Sequence, residues 1–93
     1  MSTIAYVIAG SEATGGAGLQ ADLKTFERLG VYGVGTITCI VSFDPKSNWG
    51  HRFVPVASQV IADQIEAATS AHSLDVVKIG MLGTPDTVST VAS

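Results

Sequence analysis

One cysteine, three prolines and only five Lys and Arg in 93 residues leave several classes of protein out of reach. A lone thiol, Cys39, makes neither an intrachain disulfide nor a cysteine zinc site. Inside the apolar run Ile37-Thr38-Cys39-Ile40-Val41 it reads as a small buried hydrophobe. Five basic against eight acidic residues give a net charge of −3 with no basic cluster. That balance argues against nucleic acid or an anionic membrane surface as partner. No apolar run approaches the roughly 20 residues needed to cross a bilayer, and Met1-Ser2-Thr3 lacks the basic start of a secretory signal, so the expected location is the cytoplasm. His51 and His72 stand far apart with no matching carboxylate pattern, so no metal site is expected, and no Ser-His-Asp arrangement can be drawn. Charge is scarce as well, at 14% of residues against 46% hydrophobic, with a mean hydropathy of +0.39. A lone domain this small should show more polar surface, so the chain reads as one part of a larger fold.

What the chain has in abundance is glycine, concentrated in Gly10-Ser11-Glu12-Ala13-Thr14-Gly15-Gly16-Ala17-Gly18. This stretch lies between the apolar run Ile4 to Ala9 and an amphipathic segment beginning near Leu19. A glycine-rich turn between a strand and a helix lets backbone N–H groups face a ligand at the positive end of the helix. The same glycines also suit a merely tight turn.

The remaining pattern alternates. Ile4-Ala5-Tyr6-Val7-Ile8-Ala9 has the continuous apolar character of a strand covered on both faces. Leu19, Leu23 and Phe26 recur at i, i+4 and i+7, which predicts a helix that Gly30 stops. Residues 34–41 are rich in β-branched side chains and predict a second buried strand, giving a right-handed βαβ unit. Residues 43–52 read as a turn-rich loop, with Trp49 a lid residue or a surface anchor. Phe53-Val54-Pro55-Val56 is extended but holds a proline, which marks an edge piece. Ser58 is expected to cap a helix striped by Ile61, Ile65 and Ala68 and ending near His72. Val76-Val77-Lys78-Ile79 predicts a third strand, and Thr84-Pro85-Asp86 the start of another helix. Three strands alternating with helices make an open parallel α/β sheet, whose ligands bind beyond the carboxyl ends of the strands. That edge gathers Gly10 to Gly18, Ser42 to His51 and Gly80 to Gly83.

Known phosphate motifs fit this edge poorly. Gly10-x-x-x-x-Gly15 is followed by Gly16-Ala17, not by the Lys-Ser/Thr of a P-loop. Gly16-Ala17-Gly18-Leu19-Gln20-Ala21 matches the G-x-G-x-x-A of dinucleotide folds, and Asp44 follows the second strand, but six residues separate Ala9 from Gly16 where that fingerprint follows its strand directly. Asp22 is either a ligand carboxylate beside the loop or a solvated helix carboxylate. Met81 is either core or a surface for a flat ring.

Ile8-Ala9-Gly10-Ser11, residues 15–26 (GGAGLQADLKTF), Val31-Tyr32-Gly33 and Val77-Lys78-Ile79-Gly80-Met81-Leu82 together resemble the hydroxymethylpyrimidine (phosphate) kinases of thiamine synthesis and their relatives, the pyridoxine/pyridoxal kinases, within the ribokinase-like superfamily. The resemblance covers essentially the whole chain and corresponds to the N-terminal portion of that family. It implies a three-layer α/β/α fold with a mostly parallel central sheet, of which residues 1–93 form a β-α-β-α-β part of a single kinase domain. It further implies a vitamin ring over the carboxyl edge, with Gly10, Asp22 and Met81 binding substrate. Where the pyrimidine kinases carry a glutamine after the second strand this chain has Phe43, and residues 44–51 resemble the pyridoxine-kinase branch, which adds Phe43 and His51 to the expected substrate-binding set. The family's general base is a C-terminal aspartate beside the ATP site, so no catalytic residue, ATP site or Mg2+ site is expected within this chain. The expected activity of the parent is ATP-dependent phosphorylation of the 5′-hydroxymethyl group of pyridoxine, pyridoxal or pyridoxamine. The alternatives are a pyrimidine kinase of thiamine synthesis and a non-catalytic α/β binding or assembly fragment. A homo-oligomer or a companion chain completing the sheet is the expected assembly.

Overall fold

The structure, a computed structural model, describes residues 3–80 and 91. Its elements run β1 (Ile4–Glu12), α1 (Gly18–Arg28), β2 (Tyr32–Asp44), a 3-10 turn (Pro45–Ser47), β3 (Gly50–Pro55), α2 (Ser58–Ala71) and β4 (Val76–Ile79). The sheet order is β3-β2-β1-β4, with β1 parallel to β2 and to β4, and β3 antiparallel to β2. The expected α/β/α architecture is therefore present, and β1 takes the middle of it. Residues 5–10 are all buried, as their unbroken apolar character requires of a strand covered on both faces.

α1 lies on β1 and β2 because glycine leaves it room. A Cβ on Gly33 would stand 2.8 Å from Leu23 Cδ2, so the stripe of Leu19, Leu23 and Phe26 rests directly on bare β2 backbone. Leu19 joins Val7 and Ala9 in the core, with Leu23, Phe26 and Ile37 packed against them. The helix ends as expected at Gly30, which has φ +73. Gly30 N–H donates to Glu27 O and Val31 N–H to Phe26 O, which satisfies the last carbonyls of the helix.

α2 packs on β2 through Ile61, whose burial is complete and contributes about 1.5–3 kcal/mol. Ser58 does not cap this helix: Ala57 holds the N-cap position, and no side chain closes the helix end. His72 does end it, and its ring also meets Tyr32 at 5.8 Å. Gln64 performs a further task. β3 pairs with β2 only from Cys39 onward, and the Gln64 amide bonds both backbone groups of Ile37, accepting from N at 2.8 Å and donating to O at 2.9 Å. A side-chain amide thus continues the ladder where the strand leaves off.

Two boundaries differ from expectation. The region 43–52 is not one loop: β2 runs to Asp44 and β3 starts at Gly50, so only 45–49 turn. Asp44 starts that turn by accepting from Lys46 N at 2.9 Å, and Asn48 and Trp49 close it with φ +57 and +60. Period-2 alternation is masked here by the small and polar residues of the hairpin. The edge position expected for Phe53-Val54-Pro55 holds, because β3 is the outer strand and exposed throughout. The helix expected from Thr84 lies outside the described residues.

Candidate functional site

At the carboxyl end of β1 the register between β1 and β2 slips by one residue. Ala9 pairs with Ile37, but Ser11 pairs with Ile40. Gly10 sits at this bulge, and a Cβ there would come within 2.6 Å of Cys39 Sγ. Gly18, with φ +69, brings the start of α1 so close that a Cβ would meet the Gly10 carbonyl at 2.5 Å. Two glycines thus allow helix and strand end to touch, which opens a cavity of about 280 Å³ just beyond them. Ala9 and Gly10 line it from β1, Gly18 and Asp22 from α1, Val41 and Phe43 from β2, and Lys78 and Gly80 from β4 and its end.

The glycine stretch itself is occupied by the protein. The Glu12 carboxylate, in a residue only 4% exposed, accepts from Thr14 N at 2.6 Å, Thr14 Oγ1 at 2.7 Å, Gly16 N at 3.2 Å and Ala17 N at 3.3 Å. The Thr14 hydroxyl, with these backbone N–H groups, holds the Glu12 carboxyl below its ordinary value against the opposing effect of burial. Gln20 braces the same turn, accepting from Glu12 N at 2.9 Å and donating to Ser11 Oγ at 2.7 Å. The N–H groups of Thr14, Gly16 and Ala17 thus serve an internal carboxylate, as in a tight turn, while Gly10 and Gly18 at the two ends of the stretch line the cavity.

Besides Glu12, which also lines this cavity, its polar side chains are a pair. Lys78 Nζ lies 2.5 Å from Asp22 Oδ1, with side chains 52% and 17% exposed respectively. Of the residues expected to bind substrate, Gly10, Asp22 and Phe43 line one cavity. His51 lines a neighbouring cavity of about 460 Å³ between the hairpin strands, where its ring meets the edge of Phe43 at 6.4 Å. Phe43 lines both cavities. Met81 lies outside the described residues. Glu12 and Lys78 are the charged residues of the site that carried no functional expectation of their own. Lys78 had a usable signal: it is a lone charge in the otherwise apolar strand 76–79, next to the sheet edge at which ligands are expected. Glu12 had none beyond its place among the glycines.

Phosphomethylpyrimidine kinases, as a family, match residues 12–93. The chain belongs to that family. It is 43% identical over 88 residues to the pyridoxine kinase of Bacillus subtilis, covering 95% of this chain and 32% of that protein. It is 40% identical over 92 residues to the hydroxymethylpyrimidine/phosphomethylpyrimidine kinase of Rhizobium meliloti, covering 99% of this chain and 34% of that one. Its fold superimposes on the ADP complex of Bacillus subtilis pyridoxal kinase with a TM-score of 0.95 at 41% identity, over 99% of this chain and 34% of the other. The fold is therefore ribokinase-like, as the resemblance implied. The chain spans about one third of the length of the relatives it matches.

Proposed function

We propose that this chain is the vitamin-binding part of a single ribokinase-like kinase domain that transfers the γ-phosphate of ATP to the 5′-hydroxymethyl group of pyridoxine, pyridoxal or pyridoxamine. The observation that carries the B6 reading is Phe43, which lines the same cavity as Asp22 where the thiamine-pathway enzymes are expected to carry a glutamine. A flat heteroaromatic ring suits a cavity of about 280 Å³ with bare backbone at Gly10, Gly18 and Gly80, an aromatic side chain at Phe43 and one charged pair.

The nucleotide does not fit the glycine stretch, because the N–H groups of Thr14, Gly16 and Ala17 already serve Glu12. In this reading ATP, Mg2+ and the general base belong to residues beyond this chain. The residues present bind and orient the acceptor vitamin. β4, with Val76, Val77 and Ile79 each more than half exposed, is the edge that further chain or a partner copy would cover.

A thiamine-pathway acceptor is the second reading, supported by the 40% identity to the Rhizobium meliloti enzyme across 99% of this chain. Steady-state assays of the full-length kinase with ATP and each vitamin separate the two. The B6 reading expects kcat/KM for pyridoxal to exceed that for hydroxymethylpyrimidine, and the reverse order overturns it.

A further inference from the structure

Among the described residues Lys78 has a single partner, Asp22 Oδ1, so ammonium N–H donors of Lys78 and Oδ2 of Asp22 remain without partners beside the cavity. The pair is held from two directions. Lys78 stands opposite Val7 in the β1–β4 register, and Asp22 rides on a helix fixed by the close contact of Gly18 with Gly10. The rest of the cavity lining that contributes side chains is apolar, apart from Glu12, whose oxygens already accept four hydrogen bonds. A ring entering this space therefore meets one cationic donor with bonds to spare and one acceptor oxygen next to it.

We propose that Lys78 is a specificity-determining residue whose ammonium takes the ring oxygen of a 3-hydroxypyridine, with Asp22 both holding the ammonium and offering its second oxygen to a ring donor. The inference deepens the vitamin-kinase reading and rests on it. A hydroxyl on a pyridine ring ionises readily because the ring nitrogen withdraws charge, so the bond to Lys78 joins two full charges. An aminopyrimidine offers Lys78 only a neutral ring nitrogen. Charge-assisted bonds are about twice as strong as neutral ones, so the pair favours the hydroxypyridine.

The test crosses a change in the enzyme with a change in the substrate. Full-length wild-type kinase and Lys78→Met are assayed with ATP against pyridoxine and 3-deoxypyridoxine, which differ only in that oxygen. Wild type should lose about 10- to 100-fold in kcat/KM on loss of the oxygen, as expected for a hydrogen bond to a charged group. Lys78→Met should lose a similar factor on pyridoxine and distinguish the two substrates by less than about threefold, the signature of a direct contact. Lys78→Ala, which also removes the donor, gives the same readout if the Met variant does not fold. A variant that still discriminates as wild type does, or that loses activity equally on both substrates, overturns the assignment. A wild-type enzyme that phosphorylates pyridoxine and the deoxy analogue alike overturns it too, leaving the kinase reading intact. One that phosphorylates neither overturns the assignment together with the B6 reading.

Discussion

Lys78 Nζ and Asp22 Oδ1 stand 2.5 Å apart, joining β4 to α1 across 56 residues of sequence. An ion pair whose lysine is half exposed contributes only about 0.2–1 kcal/mol to stability. Its cost and its value therefore separate. Asp22→Asn in the full-length kinase should lower the melting temperature by no more than a few degrees. It should also reduce kcat/KM for pyridoxal about tenfold or more, through the lost charged acceptor. Thermal unfolding beside steady-state kinetics checks both, and a large loss of stability with unchanged kinetics would make the pair structural.

Phe43 is the position at which substrate choice should turn. It lines the cavity with Asp22, and its ring edge meets His51 at 6.4 Å. Phe43→Gln exchanges an apolar wall for an amide that can hydrogen-bond an aminopyrimidine edge. The ratio of kcat/KM for hydroxymethylpyrimidine to that for pyridoxal should rise at least about tenfold, a change on the scale of one or two hydrogen bonds. An unchanged ratio would remove Phe43 from substrate discrimination.

Gly10 and Cys39 should show strong coupling. A methyl at Gly10 meets Cys39 Sγ at 2.6 Å in a site where Cys39 is wholly buried, so Gly10→Ala should destabilise by about 1–3 kcal/mol. Removing the sulfur with Cys39→Ala should return much of that loss in the double variant, and denaturation of the four proteins of the cycle measures the coupling. Additive losses would show that the bulge itself, not the sulfur, excludes the side chain.

Glu12 sets an acid limit on the loop. Its carboxyl is held below the ordinary value of 4.5 by the Thr14 hydroxyl and the turn's N–H groups. A depressed carboxyl contributes stability that is complete above its unfolded value and is lost as pH falls through the folded one. Wild-type stability should therefore decline as pH drops below about 4.5. Glu12→Gln should be less stable at neutral pH and show a shallower acid decline, since one amide oxygen cannot serve the donors that two carboxylate oxygens serve. Melting temperatures of both proteins between pH 3 and 7, roughly the range over which carboxyls titrate, supply the check.

The parts of the fold carried by periodic apolar residues were legible in the sequence. β1, α1 with its Gly30 stop, β4 and the parallel pairing of β1 with its neighbours all follow from spacing. The β2–β3 hairpin was not, because its strands present exposed faces and polar residues such as Ser42, His51 and Arg52 that weaken alternation. Ser58 illustrates a different miss: a good capping residue stood one position inside the helix that Ala57 begins. In the site, Gly10, Asp22 and Phe43 came from resemblance, and the structure brings them to one cavity. Lys78 stands out in the sequence as a lone charge in an apolar strand, but its partner, like the donors to Glu12, needed three dimensions. The first acts across strands and the second within a turn, and neither pairing leaves a local pattern.

The central claim is that the cavity between Gly10, Asp22, Phe43 and Lys78 holds the vitamin ring. A crystal structure of the full-length kinase with pyridoxal bound tests it most directly. Ring density is expected beside Phe43, with a ring oxygen within hydrogen-bond distance of Lys78 Nζ and a polar ring atom facing Asp22. Pyridoxal bound elsewhere, with the Lys78–Asp22 pair untouched by ligand, would contradict it.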